Sequence, residues 1–97
     1  MSEIVEVCND SMGVTYRNAV RILGSLKFTD EEKIDLIEIY SNQINSSFDL
    51  NKKFLDEYKE EKGLEENEYN TFLNDIRIKR DKILKDLSSY LPKNKSS

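Results

Sequence analysis

Apolar residues recur every three or four positions along most of the chain, which is the period of one face of an α-helix. This pattern predicts a first helix over residues 14–26, with the apolar positions Tyr16, Ala19, Val20, Leu23 and Leu26. The stretch just before it, Asn9–Gly13, is rich in turn-forming residues. We therefore expect a turn there, which separates a short apolar segment, residues 4–8, from the first helix.

A second and longer helix is predicted to begin at Asp30. Thr29 and Glu32 have the spacing of a capping box, in which each side chain bonds the other residue's backbone N–H. Gly63 is typical of a helix end. A break at residues 45–47 is the alternative, but no glycine or proline forces it, and we favour one helix. Its apolar stripe comprises Ile37, Tyr40, Ile44, Phe48, Leu55 and Tyr58.

A third helix is predicted to begin between residues 64 and 67 and to end near Tyr90, because Pro92 follows. Residues 92–97 read as a polar tail, and residues 1–91 as a single helical domain. The apolar stripe of this helix comprises Tyr69, Phe72, Leu73, Ile76, Ile83, Leu87 and Tyr90.

These elements predict an all-α fold, a small helical bundle built on a long antiparallel helical hairpin with a shorter N-terminal helix. The chain has only three glycines and one proline, which favours long helices over short strands. A first helix half as long as the second would leave the turn-proximal end of the hairpin uncovered. Residues 4–8, a second copy or a partner would then cover it. From this uncovered aromatic end we predict self-association as a homodimer. The predicted partner-binding residues are Phe48, Phe54, Leu55, Tyr58, Tyr69, Phe72, Arg77 and Arg80.

The second helix carries a further apolar line, formed by Leu36, Ile39, Leu50 and Phe54. Such a broad apolar surface indicates a helix that is contacted on two sides. A plain three-helix bundle with this helix at its centre is the simpler interpretation. A surface that binds a second copy or another protein is the alternative.

Charge is distributed unevenly along the chain, whose net charge is −4. Residues 29–75 hold fourteen acids and five bases, whereas residues 76–97 hold two acids and seven bases. In the predicted hairpin the basic residues lie opposite residues 42–50, where Asp49 is the only acid. Arg80 lies on the apolar stripe of the third helix, and its expected neighbours on the second helix are Ser46, Ser47 and Asn51. Its guanidinium either extends to solvent or binds a carboxylate or phosphate of a partner. The basic band comprises Arg77, Lys79, Arg80, Lys82 and Lys85.

The residue types required by most catalytic and metal sites are missing from the sequence. The chain has no histidine and one cysteine, Cys8, so the usual zinc, haem and di-iron sites and His-based triads are not expected. We read the acids between Asp56 and Glu68 as a solvated helix end rather than a metal site. No apolar run reaches the roughly 20 residues of a membrane span. The sequence therefore predicts a non-enzymatic, cytoplasmic protein without cofactors.

The composition and the separated charges suggest two functions. The first is a protein-protein interaction module, acting as a small regulator, inhibitor or immunity-type protein. Frequent asparagine and lysine are typical of AT-rich genomes, such as that of a low-GC bacterium or its phage. The second is nucleic-acid binding through the basic band, although no aromatic residue interleaves with it for base stacking.

Overall fold

The computed structural model describes residues 3–25 and 27–92, and it contains three α-helices. They are α1 (Glu3–Ser25), α2 (Asp30–Lys62) and α3 (Glu66–Ser88). Each helix packs against the other two, and the described residues include no strand. The prediction of an all-α helical bundle is confirmed. Leu26 and the tail residues 93–97 lie outside the described part of the chain.

The predicted turn at Asn9–Gly13 is wrong, because these residues lie inside α1, which begins at Glu3 rather than near Val14. Cys8, just before this stretch, and Met12, within it, are fully buried. Asn, Asp and Ser cost only tenths of a kcal/mol in a helix, and Gly about 1 kcal/mol. Burying two apolar side chains contributes about 1.5–3 kcal/mol for each large one, so packing outweighs these weak local preferences.

Helix α2 begins and ends as predicted, because both of its caps are local signals. Thr29 Oγ1 accepts a hydrogen bond from the backbone N–H of Glu32 (3.1 Å), and Glu32 Oε1 accepts one from the N–H of Thr29 (2.9 Å). Gly63 follows the last turn with a left-handed backbone (φ 66°), which glycine adopts without steric cost. No break occurs at residues 45–47, so the single long helix is confirmed.

Helix α3 begins within the predicted range and ends two residues before Tyr90. Leu73, Ile76, Ile83 and Leu87 are buried, as their spacing indicates. Tyr90, however, lies beyond the helix in a turn and is exposed. Because α3 ends at Ser88, the helical spacing no longer places Tyr90 on the buried face. Tyr90 is therefore the one residue of the predicted stripe that lies outside the helix.

The core runs along all three helices and contains no buried charged side chain among the described residues. Helix α1 contributes Val5, Cys8, Met12, Ala19 and Leu23, at spacings of three, four or seven. The core residues of α2 are Ile37, Ile44, Phe48 and Leu55, all of them on the predicted stripe. Sequence periodicity thus identifies the buried face of α2, whereas on α1 it identifies Ala19 and Leu23 but not Val5, Cys8 or Met12.

The turn-proximal end of α2 and α3 is better covered than the sequence suggests. Helix α1 has 23 residues against 33 in α2, so it is not half as long. Asn51 of α2 donates a hydrogen bond to the carbonyl oxygen of Cys8 (3.1 Å), which places the N-terminal half of α1 beside this part of α2. Of the three predicted coverings, the segment 4–8 is thus the one that the fold supplies, as part of α1.

Candidate partner-binding surface

The apolar residues of the predicted partner-binding site fall into three groups by exposure. Phe48 and Leu55 are buried in the core. Tyr58, Tyr69 and Phe72 are partly buried and pack against that core. Phe54 is the one member of this group that is exposed. Within one chain, Phe54 is therefore the member of this set that is most available to a partner.

Tyr69 is part of a polar cluster beside the α2–α3 turn. Its hydroxyl donates a hydrogen bond to Asp56 Oδ1. Lys59 Nζ lies 4.7 Å from the centroid of the Tyr69 ring and 2.7 Å from Glu66 Oε1. Asp56 and Lys59 belong to α2, whereas Glu66 and Tyr69 belong to α3. These contacts therefore join the two helices beside the turn.

We expect Tyr69 to ionise only under strongly alkaline conditions. The hydrogen bond to Asp56, partial desolvation and the nearby carboxylates raise its pKa from 10.0 to about 12. The raised pKa means that folding favours the neutral phenol. The contribution of Tyr69 to the free energy of unfolding is therefore complete below pH 10 and is lost as the pH rises through about 12. A pH titration of the Tyr69 ring by NMR measures the pKa directly.

The matched controls for this titration are Asp56→Asn and Asp35→Asn. Removing the Asp56 charge should move the pKa of Tyr69 back toward its ordinary value. Asp35 lies in the first half of α2, more than five turns from Asp56, so its replacement should leave the pKa unchanged. Ionisation of Tyr69 near pH 10 in the unmodified protein would contradict the hydrogen-bonded arrangement.

Arg80 makes two contacts within the chain that the sequence did not predict. Its guanidinium lies over the Phe48 ring, with Cζ 4.3 Å from the centroid, in cation-π geometry. Nη2 lies 2.9 Å from Asp81 Oδ1, and Nε donates a hydrogen bond to the same oxygen (3.0 Å). Asn51, its expected polar neighbour, bonds to α1 instead. Arg80 therefore caps a core aromatic ring and is paired with its own neighbour Asp81.

Replacement of Arg80 by methionine should reduce stability by no more than about 1 kcal/mol. Methionine keeps a long apolar stem over Phe48, but the cation-π contact and the partly exposed ion pair are lost. Urea unfolding compared with Arg77→Met, whose arginine is exposed, measures the difference. A loss of several kcal/mol would contradict this assignment and indicate a second, buried partner for Arg80.

The rest of the basic band is on the surface. Arg77, Lys82 and Lys85 are exposed and Lys79 is partly buried. Arg77 lines a shallow hollow together with residues 70, 71, 73 and 74 of the same helix. Within residues 3–25 and 27–92, Arg80 is the only member of the band that forms an ion pair.

The further apolar line of α2 lies mostly on the surface. Leu50 and Phe54, one helical turn apart, are 67% and 48% exposed, and Ile39 is also exposed. Leu36 is partly buried and packs against the core. The predicted site included Phe54 but not Leu50, although both belong to the apolar line that the sequence shows. Phe54 borders a shallow hollow whose other lining residues are Glu57, Tyr58, Glu60 and Glu61.

The described residues offer little for metal binding or thiol chemistry. No group of three or more Cys, Asp or Glu residues among them is arranged to hold a metal ion. Cys8 is fully buried, and its desolvation raises the pKa of the thiol, which disfavours the reactive thiolate. In the same part of the chain, no helix combines the length and the apolarity that a membrane span requires.

Comparison with known proteins gives no match to any family model, curated protein or solved structure.

Proposed function

We propose that this protein is a non-enzymatic protein-protein interaction module that acts as a small regulator, inhibitor or immunity-type protein in the cytoplasm. The observation that carries the proposal is the exposed pair Leu50 and Phe54 on α2. A large aromatic side chain in contact with water, beside a second apolar residue, is typical of the anchor of a protein interface. A partner that covers both side chains would gain their hydrophobic free energy.

The surface relief supports binding rather than catalysis. The hollows on the described residues are shallow and open, and the one beside Phe54 is formed by a single helix. Catalysis by paired carboxylates needs a concave site that excludes water and holds the substrate between converging groups. An exposed helical face is instead suited to another protein's groove or helix.

An antiparallel hairpin of α2 and α3 is part of this proposal. Near the turn, Asp56 contacts Tyr69, while farther from it Phe48 contacts Arg80. The residue number thus rises on α3, from Tyr69 to Arg80, as it falls on α2, from Asp56 to Phe48. This order supports opposite directions for the two helices. Such a rigid pair holds Leu50 and Phe54 on regular helix, where their spacing is fixed.

Affinity capture from the source cell tests the interaction module. The tagged protein is compared with a Leu50→Ser/Phe54→Ser variant, and an Ile34→Ser/Ile39→Ser variant serves as the control because both isoleucines are exposed. We expect a partner that the unmodified protein and the control retain and that the Leu50/Phe54 variant loses. Equal recovery by all three, or recovery of the bait alone, would contradict the proposal.

We propose a homodimer as the alternative occupant of the surface formed by Leu50 and Phe54. The uncovered aromatic end no longer supports it, because α1 reaches the level of Asn51. Sedimentation equilibrium at micromolar concentrations tests it. A species with the mass of one chain at every concentration would contradict the dimer.

Nucleic-acid binding through the basic band is the second candidate. It is supported by the exposure of Arg77, Lys82 and Lys85 on one helix. The net charge of −4 opposes it, because the whole chain repels phosphates at long range. Titration with random duplex and single strands should show a steep salt dependence if the band binds phosphates. Absence of binding at low salt would exclude it.

A further inference from the structure

Leu50 and Phe54 differ from the other exposed apolar residues in their spacing. They lie four residues apart on α2, so their side chains are neighbours on one face. On α1, Val7 and Val14 are seven residues apart, and in the first half of α2, Ile34 and Ile39 are five apart. On α3, Ile78 is a single exposed side chain, and Tyr90 and Leu91 are exposed in the turn that follows the helix. Leu50 and Phe54 are therefore the exposed apolar residues that are neighbours on one face of a described helix.

Acidic residues continue this surface toward the C-terminal end of α2. Glu57, Glu60 and Glu61 are exposed and share a hollow with the Phe54 ring. No ion pair to any of the three occurs within the described part of the chain, where Lys52 is paired with Asp56 and Lys59 with Glu66. We call Leu50, Phe54, Glu57, Glu60 and Glu61 the acidic apolar face.

The neighbouring helix does not neutralise this negative charge. The Asn51–Cys8 hydrogen bond places the N-terminal half of α1 beside this part of α2. The exposed ionisable residues of that half, Glu6 and Asp10, are acids, and the first base of α1 is Arg17. Lys53 is the nearest base without an ion pair on α2 itself. Acids thus predominate toward the C-terminal side of Phe54, while Lys52 and Lys53 are the bases in the hollow beside Leu50.

On this basis, and resting on the proposed function, we infer that the acidic apolar face binds a basic amphipathic segment of a partner protein. The segment would place an apolar side chain against Leu50 and Phe54 and direct lysine or arginine side chains toward the three glutamates. Removing the apolar side chains from water supplies affinity, whereas the charges steer encounter and fix orientation.

A second copy of the chain fits this surface less well than a basic segment. In a two-fold contact the same face occupies both sides of the interface, so each copy would bring its glutamates to a contact that already carries three. The three glutamates therefore favour a positively charged partner segment over a second copy of the chain.

The probe for this inference is a synthetic amphipathic helical peptide of lysine and leucine, with a scrambled peptide of the same composition as its control. Binding of the labelled peptide is followed by fluorescence anisotropy at low and high salt. We expect Leu50→Ser/Phe54→Ser and Glu57→Lys/Glu61→Lys each to weaken binding by about tenfold or more. Binding should also weaken with salt, and the scrambled peptide should bind less tightly.

The matched control variants change the same residue types elsewhere on α2. They are Ile34→Ser/Ile39→Ser for the apolar pair and Asp35→Lys/Glu38→Lys for the charge reversal, and all four residues are exposed. Both should bind the peptide almost as the unmodified protein does. Thermal melts of all four variants establish that each is folded. A control that weakens binding as much as its test variant overturns the inference, because the peptide would then respond to net charge or general hydrophobicity.

Three further outcomes separate this inference from the proposed function. Absence of peptide binding at low salt overturns the basic partner. A cellular partner that depends on Leu50 and Phe54 but ignores Glu57→Lys/Glu61→Lys leaves the interaction module standing and also overturns the basic partner. Self-association that Leu50→Ser/Phe54→Ser abolishes identifies the occupant as a second copy and overturns the inference as well.

Discussion

Replacement of Ile44 by alanine is expected to lower the free energy of unfolding by about 2–5 kcal/mol. Ile44 is fully buried near the middle of α2, so the substitution removes apolar contacts and leaves a cavity that the surrounding helices only partly fill. Domains of this kind are stable by about 5–15 kcal/mol, so a single such change removes a large share of the total. Urea unfolding followed by circular dichroism measures it.

Ile39→Ala is the matched control for this prediction. The residue type and the helix are the same, but the Ile39 side chain is 51% exposed. Its replacement should change stability by no more than about 1 kcal/mol, because little cavity forms and alanine favours the helix. Equal losses for the two variants would show that Ile44 does not occupy the core.

Replacement of Ser11 by proline should destabilise the protein by about 3 kcal/mol or more. Ser11 lies inside α1 with its side chain exposed, so the effect comes from the backbone and not from lost packing. Proline removes the N–H that bonds to the carbonyl of Val7, and its ring clashes with that carbonyl. The N-terminal half of α1, which buries Val5 and Cys8, would then separate from the core.

Ser11→Ala separates the helix from the turn that the sequence alone predicts. In a helix, alanine should stabilise slightly, by a few tenths of a kcal/mol, while proline destabilises strongly. In a turn at residues 9–13, proline would be tolerated and the two variants would unfold at similar urea concentrations. Similar stabilities would therefore show that α1 begins later than Glu3.

The partner-binding prediction shows what periodicity leaves open. The stripe of α2 correctly identifies the buried face, yet periodicity also predicts a partner at Phe48 and Leu55, because it predicts a first helix that is too short to cover them. The extra turns of α1 alter which part of α2 and α3 needs a covering. The exposed pair Leu50 and Phe54 is visible in the sequence as a second apolar line, but a pattern of apolar residues does not say whether that line faces another helix or water.

The sequence by itself determined both ends of α2 and the inward faces of α2 and α3. The Thr29–Glu32 box and Gly63 act through bonds and backbone angles within a few residues, and a period of 3.6 repeats whatever packs against it. Only the tertiary structure decided the start of α1, the contacts of Arg80 with Phe48 and Asp81, and the exposure of Leu50 and Phe54. These depend on which helices lie side by side, and there the burial of apolar side chains outweighs local preferences of tenths of a kcal/mol.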